Sequence, residues 1–259
     1  MRSPALFYNA EIRNNGTARR VIEAFFLLGF AETGMKRYTR TAELKIPTSE
    51  HDFFLYIDDG QDHIPMISPP RPNACYLIDT HLGYKPRLEV ARKFENVFLA
   101  QLPSVEQMRQ DGVENVYWLP LACLPSVDAC AQEMSRLKGL DLGPLGLRKQ
   151  HDVAFVGFLD RRINDPDSND RVLFLDKVFR AFPNSWFAFN KFFLDAAVRY
   201  ARARVGFNIS IKHDLNMRFF EAMSYGTCLA TNTNVVGWRE LGFVEGEHFI
   251  GFETAEQAI

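Results

Sequence analysis

One stretch in the second half of the chain constrains the fold more than any other, because a strand, a polar loop, a helix and a second strand follow one another there. The four segments are residues 205–209, 212–216, 217–225 and 227–231. Asp214 and Asn216 both suit a helix N-cap, and Gly226 stands where a helix commonly ends in a left-handed residue. The stretch therefore predicts a βαβ crossover, which belongs to a parallel sheet.

The crossover brings polar side chains to one edge of the predicted sheet. They follow the first strand or lie in the first turns of the helix, and they are Asn208, Ser210, Asp214, Asn216, Arg218 and Glu221. Open α/β sheets bind ligands at the carboxyl ends of their strands, and helix N-termini present backbone N–H groups that phosphates accept. We therefore predict a ligand site at this edge.

Composition excludes several classes of function. The 30 Lys and Arg residues nearly balance 32 Asp and Glu, so a net charge of −2 gives no general attraction to nucleic acid or to an anionic membrane. The sequence has no apolar run of the ~20 residues that span a bilayer, although peripheral membrane contact stays compatible with it. The four cysteines lack C-x-x-C spacing, which indicates reduced thiols and a cytoplasmic protein. Cys75 and Cys228 lie in predicted strands, where we expect them to pack.

Strands and helices alternate in both halves of the chain. The other predicted strands are residues 5–9, 53–57, 74–78, 97–100, 116–119, 152–156, 186–189 and 248–252, and the other helices are 17–28, 88–94, 105–111, 170–182 and 194–203. Pro and Gly accumulate between the halves, as is typical of a linker. We predict an α/β protein with two Rossmann-like domains, 1–122 and 151–259, joined by a linker at 123–150. Thr254 to Gln257 resembles a capping box that begins another helix, so the C-terminal domain is expected to continue past Ile259 if that helix is of ordinary length.

Three motifs resemble the GT-B glycosyltransferases, and in particular the CgeB-like (spore maturation protein-like) branch of the group 1 enzymes. They are Tyr76-Leu-Ile-Asp-Thr-His81, Asn115-Val-Tyr-Trp-Leu-Pro-Leu-Ala122, and Asp214-Leu-Asn-Met-Arg-Phe-Phe-Glu-Ala222 with Gly226. The resemblance implies a GT-B fold, in which two Rossmann-like domains with mostly parallel sheets face each other across a cleft. It also implies transfer of a sugar from a nucleoside-diphosphate sugar, held by the C-terminal domain, to an acceptor on the N-terminal side.

One position departs from the family pattern. Group 1 enzymes often carry two glutamates separated by seven residues, of which the second contacts the ribose and the first contacts the donor sugar. Glu221 matches the second position, whereas His213 occupies the first. Asp214, one residue on, could substitute for the missing carboxylate. A salt bridge at the surface is the alternative explanation of Glu221.

A nucleoside diphosphate needs cationic donors around its phosphates. Arg218 and Lys212 suit this role, and the resemblance suggests the same for Arg161 and Arg162, which could otherwise be a solvated pair. The remaining residues that we expect at the donor site are Gly157, Asn208, Asn216 and Met217. Asn208 and Ser210 could equally well tie down their loop by local hydrogen bonds.

The loop between the first strand and the first helix contains Asn15, Gly16 and Thr17. Family members use this loop near the reacting sugar, so the resemblance places these residues on the acceptor and sugar side. A tight turn alone would also explain Gly16. The loop lacks the G-x-G-x-x-G pattern, which argues against a nicotinamide-dependent oxidoreductase.

Asp79 and His81 follow a strand directly, and they are the candidates for catalysis together with Asp214. In an inverting enzyme one of them could remove the acceptor proton, whereas a retaining enzyme, which the resemblance favours, would use them to position the sugar. Asp58-Asp59-Gly60 is a rival acidic pair, for which a turn with Asx hydrogen bonds is the alternative.

We predict that neither a metal ion nor another cofactor is required. Asp165-Pro-Asp167 has the D-x-D pattern of metal-dependent enzymes, but a solvated loop before a helix capped by Asp170 explains it. His, Cys and carboxylate residues show no zinc spacing. Together with these observations, the family resemblance implies a metal-independent glycosyltransferase of the hexosyl type, whose partners are a nucleotide sugar and an unidentified acceptor. The alternatives are a degenerate nucleotide- or glycan-binding protein in polysaccharide or spore-coat assembly, and a nucleotide-sugar epimerase.

Overall fold

The computed structural model describes residues 4–7, 17–30, 37–38, 53–58, 60, 71–123, 149–157, 166–189 and 194–259. The chain divides into two compact units, Met1–Leu121 and Ala122–Ile259. Each unit contains one parallel sheet with helical crossovers, which is the expected consequence of short apolar strands that alternate with helices. Most of the predicted linker lies outside the described residues.

Unit 1 is built on a six-stranded sheet in the order β2-β1-β3-β4-β5-β6, with parallel pairing throughout. The strands are β1 (Pro4–Phe7), β2 (Arg37–Tyr38), β3 (Phe53–Ile57), β4 (Asn73–Leu77), β5 (Asn96–Leu99) and β6 (Val116–Trp118), and the helices are α1 (Thr17–Leu27), α2 (Tyr84–Ala91) and α3 (Pro103–Gln110). Leu77, Leu99 and Met108 lie at the centre of its core and are fully buried. Burial of such large apolar side chains is the main source of the unit's stability.

Unit 2 is built on a five-stranded parallel sheet in the order β11-β10-β9-β7-β8. The strands are β7 (His151–Gly157), β8 (Ser185–Phe189), β9 (Ala203–Asn208), β10 (Cys228–Asn232) and β11 (Phe249–Phe252), and the helices are α4 (Pro166–Ala181), α5 (Leu194–Ala201) and α6 (Met217–Ser224). Its core includes Phe207 and Phe252, whose rings stack with centroids 4.9 Å apart. Gly206 lets α5 and α6 approach β9, because a Cβ at this position would lie 2.9 Å from Tyr200 Cδ1 and 3.0 Å from Ala222 Cβ.

Several predicted boundaries are wrong for identifiable reasons. The helix expected at 88–94 runs from Tyr84 to Ala91. Helix α4 begins at Pro166, where a proline is favoured because its fixed φ suits the first helical turn. Asp170 therefore lies inside the helix and does not cap it. Pro166 and Asp167 of the D-x-D segment are helical, so they do not belong to the predicted loop.

Smaller differences concern single residues. Cys75 is fully buried as predicted, but Cys228, the first residue of β10, is exposed. The two capping-box hydrogen bonds form, since Gln257 N donates to Thr254 Oγ1 at 3.3 Å and Thr254 N donates to Gln257 Oε1 at 3.2 Å. The segment is nevertheless a series of turns and does not become an α-helix.

Candidate active site

A buried network of amide and hydroxyl groups lies at the carboxyl ends of β9 and β10. Asn208 Nδ2 donates to Thr231 Oγ1 at 3.1 Å and to Ser210 Oγ at 3.3 Å. Asn216 Nδ2 donates to Ser210 Oγ at 2.7 Å and to Asn208 Oδ1 at 3.2 Å. Ser210 N donates to Asn232 Oδ1 at 2.8 Å, and Asn232 Nδ2 donates back to the Ser210 carbonyl at 3.1 Å. These bonds tie the loop between β9 and α6 to the strand ends, as one of the two sequence interpretations of Asn208 and Ser210 proposed.

Asn216 fixes the start of α6. Its Oδ1 accepts a hydrogen bond of 3.2 Å from Phe219 N, which confirms the predicted N-cap. Because the same side chain belongs to the amide network, the first turn of α6 is positioned directly by β9. Asp214, the other candidate for the cap, is buried, and its backbone N–H donates to the Ile211 carbonyl at 3.1 Å.

The loop before α6 has an unusual backbone. Lys212 and His213, both exposed, have φ values of 50° and 61°, and Asp79 in unit 1 has 54°. Among the described residues these three are the non-glycine residues with positive φ, and all of them belong to the loops that the sequence identified as functional. Left-handed non-glycine residues cost free energy and occur preferentially at functional sites.

His213 is also held by its side chain. Its Nδ1 lies 2.9 Å from the carbonyl oxygen of Asn234. A carbonyl can only accept, so Nδ1 carries the hydrogen and a neutral ring offers Nε2 as an acceptor. The position where the family motif has a glutamate is therefore occupied by an exposed imidazole of defined tautomer.

Arg218 and Glu221 form an ion pair within α6, between Nη1 and Oε2. The Glu221 side chain is 1% exposed and that of Arg218 is 19% exposed. Burial alone would lower the pKa of Arg218, but Glu221 and Tyr200 outweigh this effect and raise that pKa above its ordinary value. The salt bridge that the sequence left open for Glu221 is thus present, although it is buried and not at the surface. Met217, the first residue of α6, is half-buried.

Arg171 of α4 is a cation that the sequence analysis did not select. Its Nη2 would lie 3.1 Å from a Cβ placed on Gly157, the last residue of β7, and its Cζ lies 5.3 Å from the ring centroid of Phe155. Burial, reinforced by the positive charge of Arg218, lowers the pKa of Arg171 to about 10, so the group is still charged at neutral pH. No local pattern marks this arginine, because its importance depends on how α4 packs beside β7.

Tyr200 bonds to the sheet and interacts electrostatically with these charged groups. Its hydroxyl accepts from Val156 N at 3.3 Å and lies 3.4 Å from the Val156 carbonyl oxygen. Burial raises the pKa of Tyr200 to about 12; Glu221 adds to this effect, whereas Arg218 and Arg171 oppose it. The phenol is therefore neutral at physiological pH and serves as a fixed dipole next to the two arginines.

In unit 1 a buried ion pair supports the loop that carries Asp79 and His81. Arg87 Nε lies 2.8 Å from Asp58 Oδ2, and both side chains are 3% exposed. Arg87 also donates to the carbonyls of Ile78 and, at 2.9 Å, Gly83. Desolvation raises the pKa of Asp58 even though Arg87 acts in the opposite direction. Arg87 therefore joins β3 to both ends of this loop.

Asp58 of the rival acidic pair belongs to this support. Asp58 Oδ1 accepts from Gly60 N at 3.0 Å, which confirms the Asx turn, and Oδ2 accepts from Ile78 N at 3.2 Å. Thr80 is buried, and its Oγ1 donates to Gln101 Oε1 at 3.0 Å. Asp79 and His81, on either side of Thr80, are only partly buried. The loop thus leaves two of its three polar side chains partly accessible and anchors the third.

The acceptor-side candidates are mostly outside the described residues. Thr17 is buried at the first position of α1, whereas Asn15 and Gly16, like Arg161 and Arg162, lie outside the described part of the chain. Within that part, the structure shows no group of three or more His, Cys, Asp and Glu residues that could hold a metal ion. It also contains no described helix that is long and apolar enough to cross a membrane.

Comparison with known proteins agrees with this architecture. The family model described as "Glycosyl transferase-like" matches residues 186–259. This segment includes Asn208, Asn216, Arg218 and Glu221, the main polar residues of unit 2. Comparison with the curated protein sequences gives no match.

Solved structures of similar fold come from glycosyltransferases. Sucrose-phosphate synthase from Thermosynechococcus elongatus has a TM-score of 0.54 at 12% identity, over 100% of this chain and 88% of that one. Anabaena Alr3699/HepE in complex with UDP and glucose has a TM-score of 0.55 at 11% identity, over 99% and 87%. An alpha-glucosyltransferase in complex with UDP and DNA has a TM-score of 0.56 at 9% identity, over 88% and 79%. The α/β fold of this chain, with its two parallel-sheet units, is that of the GT-B glycosyltransferases.

Proposed function

We propose that the protein is a glycosyltransferase that moves a sugar from a nucleoside-diphosphate sugar to an acceptor, with the donor bound by unit 2. The observation that carries this proposal is the location of the match: the glycosyltransferase-like segment contains both the amide network and the Arg218–Glu221 pair. UDP or UDP-glucose in the similar HepE structures supports a nucleotide sugar as the donor.

The chemistry is mainly electrostatic in this proposal. Departure of the nucleoside diphosphate develops negative charge, which the guanidinium of Arg218 and the backbone N–H groups at the start of α6 stabilise. Glu221 holds Arg218 in place through their ion pair. The ribose contact that the family resemblance implies for Glu221 would use the other lone pairs of its carboxylate.

The remaining assignments belong to the same proposal. His213 or Asp214 contacts the donor sugar, while Arg161, Arg162 and Lys212 add positive charge around the phosphates. Asp79 and His81 position the sugar or accept the acceptor proton, and the loop of Asn15, Gly16 and Thr17 lies on the acceptor side.

The finer class also belongs to the proposal. We propose a cytoplasmic, metal-independent enzyme of the CgeB-like branch that retains the anomeric configuration. The resemblance of the three sequence motifs supports the branch and the retention. The guanidinium of Arg218 and the backbone N–H groups at the start of α6, which can hold a diphosphate without a metal ion, support metal independence.

Transfer and hydrolysis assays with nucleotide sugars test the proposal. We compare the wild type with Arg218→Gln and Glu221→Gln, and use Arg180→Gln as a control because Arg180 is exposed and paired with Asp176. Arg218→Gln is expected to lower turnover by about 10²–10³-fold, the usual effect of removing one stabilising donor from a transition state. Arg180→Gln is expected to leave turnover unchanged.

Two outcomes would replace the proposal with another function, and a third would change the role of Arg218. Nucleotide binding without any turnover, with a panel of acceptors present, would identify a binding protein. Conversion of the donor to an isomeric nucleotide sugar without an acceptor would identify an epimerase. Equal turnover of the wild type and Arg218→Gln would remove Arg218 from the chemistry.

A further inference from the structure

We propose that Arg171 is a second phosphate-binding residue of the donor site and that it binds the diphosphate of the nucleotide sugar together with Arg218. The inference rests on the proposed function, because it assigns the group that the two arginines recognise. It concerns a residue of α4 that is not part of any of the motifs that resemble the glycosyltransferases.

The Arg171 guanidinium lies beside Gly157 at the end of β7, where a side chain would be in its way. A Cβ on Gly157 would lie 2.5 Å from Phe155 Cζ and 3.1 Å from Arg171 Nη2. Phe155 is 1% exposed, so its ring could not yield easily to a larger residue at position 157. The glycine thus permits a cation to reach the carboxyl end of this strand, which is where open α/β sheets bind ligands.

The two arginines lie near the ends of adjacent strands of one sheet. Arg171 reaches the end of β7, and Arg218 lies in the first turn of the helix that follows β9. β7 and β9 are hydrogen-bonded neighbours, so their ends are ~5 Å apart. A diphosphate has two adjacent phosphate groups and can therefore contact a guanidinium at each strand end.

Electrostatics favour an anion at this place. The positive charge of Arg218 contributes to the lowered pKa of Arg171, and both arginines lower the pKa of the Tyr200 phenol against the effect of burial. Two like charges near each other in a partly buried site repel, and a multiply charged anion between them removes this repulsion. Guanidinium groups also bind phosphate oxygens in bidentate fashion, which a lysine cannot do.

Binding measurements with ligands of decreasing charge test the assignment. Dissociation constants of UDP, UMP and uridine are measured by calorimetry for the wild type, Arg171→Met, Arg171→Lys and the control Arg180→Met, which lies on the same helix. Arg171→Met is expected to weaken the binding of UDP about 10- to 100-fold, as loss of a charge-assisted contact does, and to leave the affinity for uridine unchanged. Arg171→Lys is expected to lose less affinity for UDP than Arg171→Met, since lysine keeps the positive charge.

The series separates the inference from the function on which it rests. If the wild type binds none of UDP, GDP, ADP and dTDP, the proposed function and the inference both fail; if it prefers another base, the corresponding diphosphate, monophosphate and nucleoside replace the uridine series. Wild-type affinity for UDP in both Arg171 variants would overturn the inference alone. Equal losses for UDP and uridine would show that Arg171 only supports the structure. If Arg171→Met does not fold, the comparison of UDP with uridine in Arg171→Lys decides.

Discussion

The loop after β4 in unit 1 and the loop after β9 in unit 2 each follow an interior strand of a parallel sheet, but they are held in different ways. The first is held by a buried ion pair, in which Arg87 links Asp58 to the backbone of Ile78 and Gly83. The second is held by uncharged amides and hydroxyls centred on Asn216. Both arrangements satisfy buried polar groups, yet they distribute the stabilisation differently.

The two arrangements make the loops sensitive to substitution in different ways. In unit 1 one cation makes several contacts at once, so a single substitution removes them together. In unit 2 the same task is divided among Asn208, Ser210, Asn216, Thr231 and Asn232. The amide nitrogens of Asn208 and Asn216 each donate to two acceptors, so loss of one acceptor leaves the other hydrogen bond in place.

The largest effect is expected from Arg87→Met. The substitution leaves Asp58 buried without its guanidinium partner, and breaking a buried pair in this way typically costs about 3–5 kcal/mol. Urea unfolding, followed by circular dichroism, measures the loss in the free energy of unfolding. Arg92→Met is the matched control: Arg92 immediately follows α2 and forms an exposed pair with Glu89, so we expect it to cost less than about 1 kcal/mol.

A double substitution tests directly whether Asp58 and Arg87 are coupled. Asp58→Asn combined with Arg87→Met removes both charges, and we expect it to be more stable than Arg87→Met alone because no uncompensated charge remains. If the double variant were less stable by the full sum of the single effects, the pair would not be coupled and the contrast between the two loops would fail.

Asn216→Ala is expected to cost about 1–2 kcal/mol, less than Arg87→Met. The change removes the N-cap of α6 and two hydrogen bonds to the network. Asn216→Asp separates the two contributions, since a carboxylate still caps Phe219 N but cannot donate to Ser210 or Asn208. Urea unfolding should place Asn216→Asp between the wild type and Asn216→Ala; equal loss in both variants would mean that the cap contributes nothing.

The sequence predicted the elements of both loops well, and their side-chain pairing poorly. The two parallel sheets, the N-cap at Asn216 and the Asx turn at Asp58 follow from local patterns of a few residues. Arg87 and Asp58 are 29 positions apart, and Arg171 meets Gly157 only when α4 packs beside β7. Such contacts depend on sheet order and helix placement, which no local pattern encodes.

The Arg218–Glu221 pair is an instructive intermediate case. Residues three apart on a helix lie on the same face, so the ion pair could have been predicted from spacing alone. The family motif directed attention to Glu221 as a ligand-binding carboxylate, and the surface was the expected place for a salt bridge. Burial of the pair was not predictable, because it depends on the packing of α6 against the sheet.

A pH series distinguishes the charged loop from the neutral one. The pKa of Asp58 is raised in the folded protein, so the carboxyl favours the native state below its unfolded pKa, and this contribution is lost as pH rises through the folded pKa. The stability of the wild type relative to Asp58→Asn should therefore fall as pH rises from about 3 through the raised pKa. The stability of the wild type relative to Asn216→Ala should not change over that range, because amides do not titrate.

These slopes are measured as differences in the free energy of unfolding at each pH, with all variants in the same buffers. Acid-sensitive carboxylates elsewhere in the chain cancel in the difference. If the stability of the wild type relative to Asp58→Asn instead increased with pH, Arg87 would outweigh desolvation. The pKa of Asp58 would then be lowered and not raised.

Thr231→Val is expected to have the smallest effect, about 0.5–1 kcal/mol. The hydroxyl accepts from Asn208 Nδ2 at 3.1 Å, but the same amide also donates to Ser210 Oγ at 3.3 Å, so it keeps a partner in the variant. The valine methyl groups fill nearly the same volume, which avoids a cavity. Thr231→Ser, which keeps the hydroxyl and loses a methyl group, is the control for packing.

Urea unfolding of the two variants tests whether the network is redundant. Thr231 is 1% exposed, so loss of an essential hydrogen bond here would leave a buried amide without its acceptor and cost about 1–3 kcal/mol. A loss at the upper end of that range in Thr231→Val, with little loss in Thr231→Ser, would show that the neutral network is as concentrated as the Arg87 pair. A loss below about 1 kcal/mol supports the opposite view, in which the remaining hydrogen bond from Asn208 to Ser210 is enough to hold the loop before α6 in place.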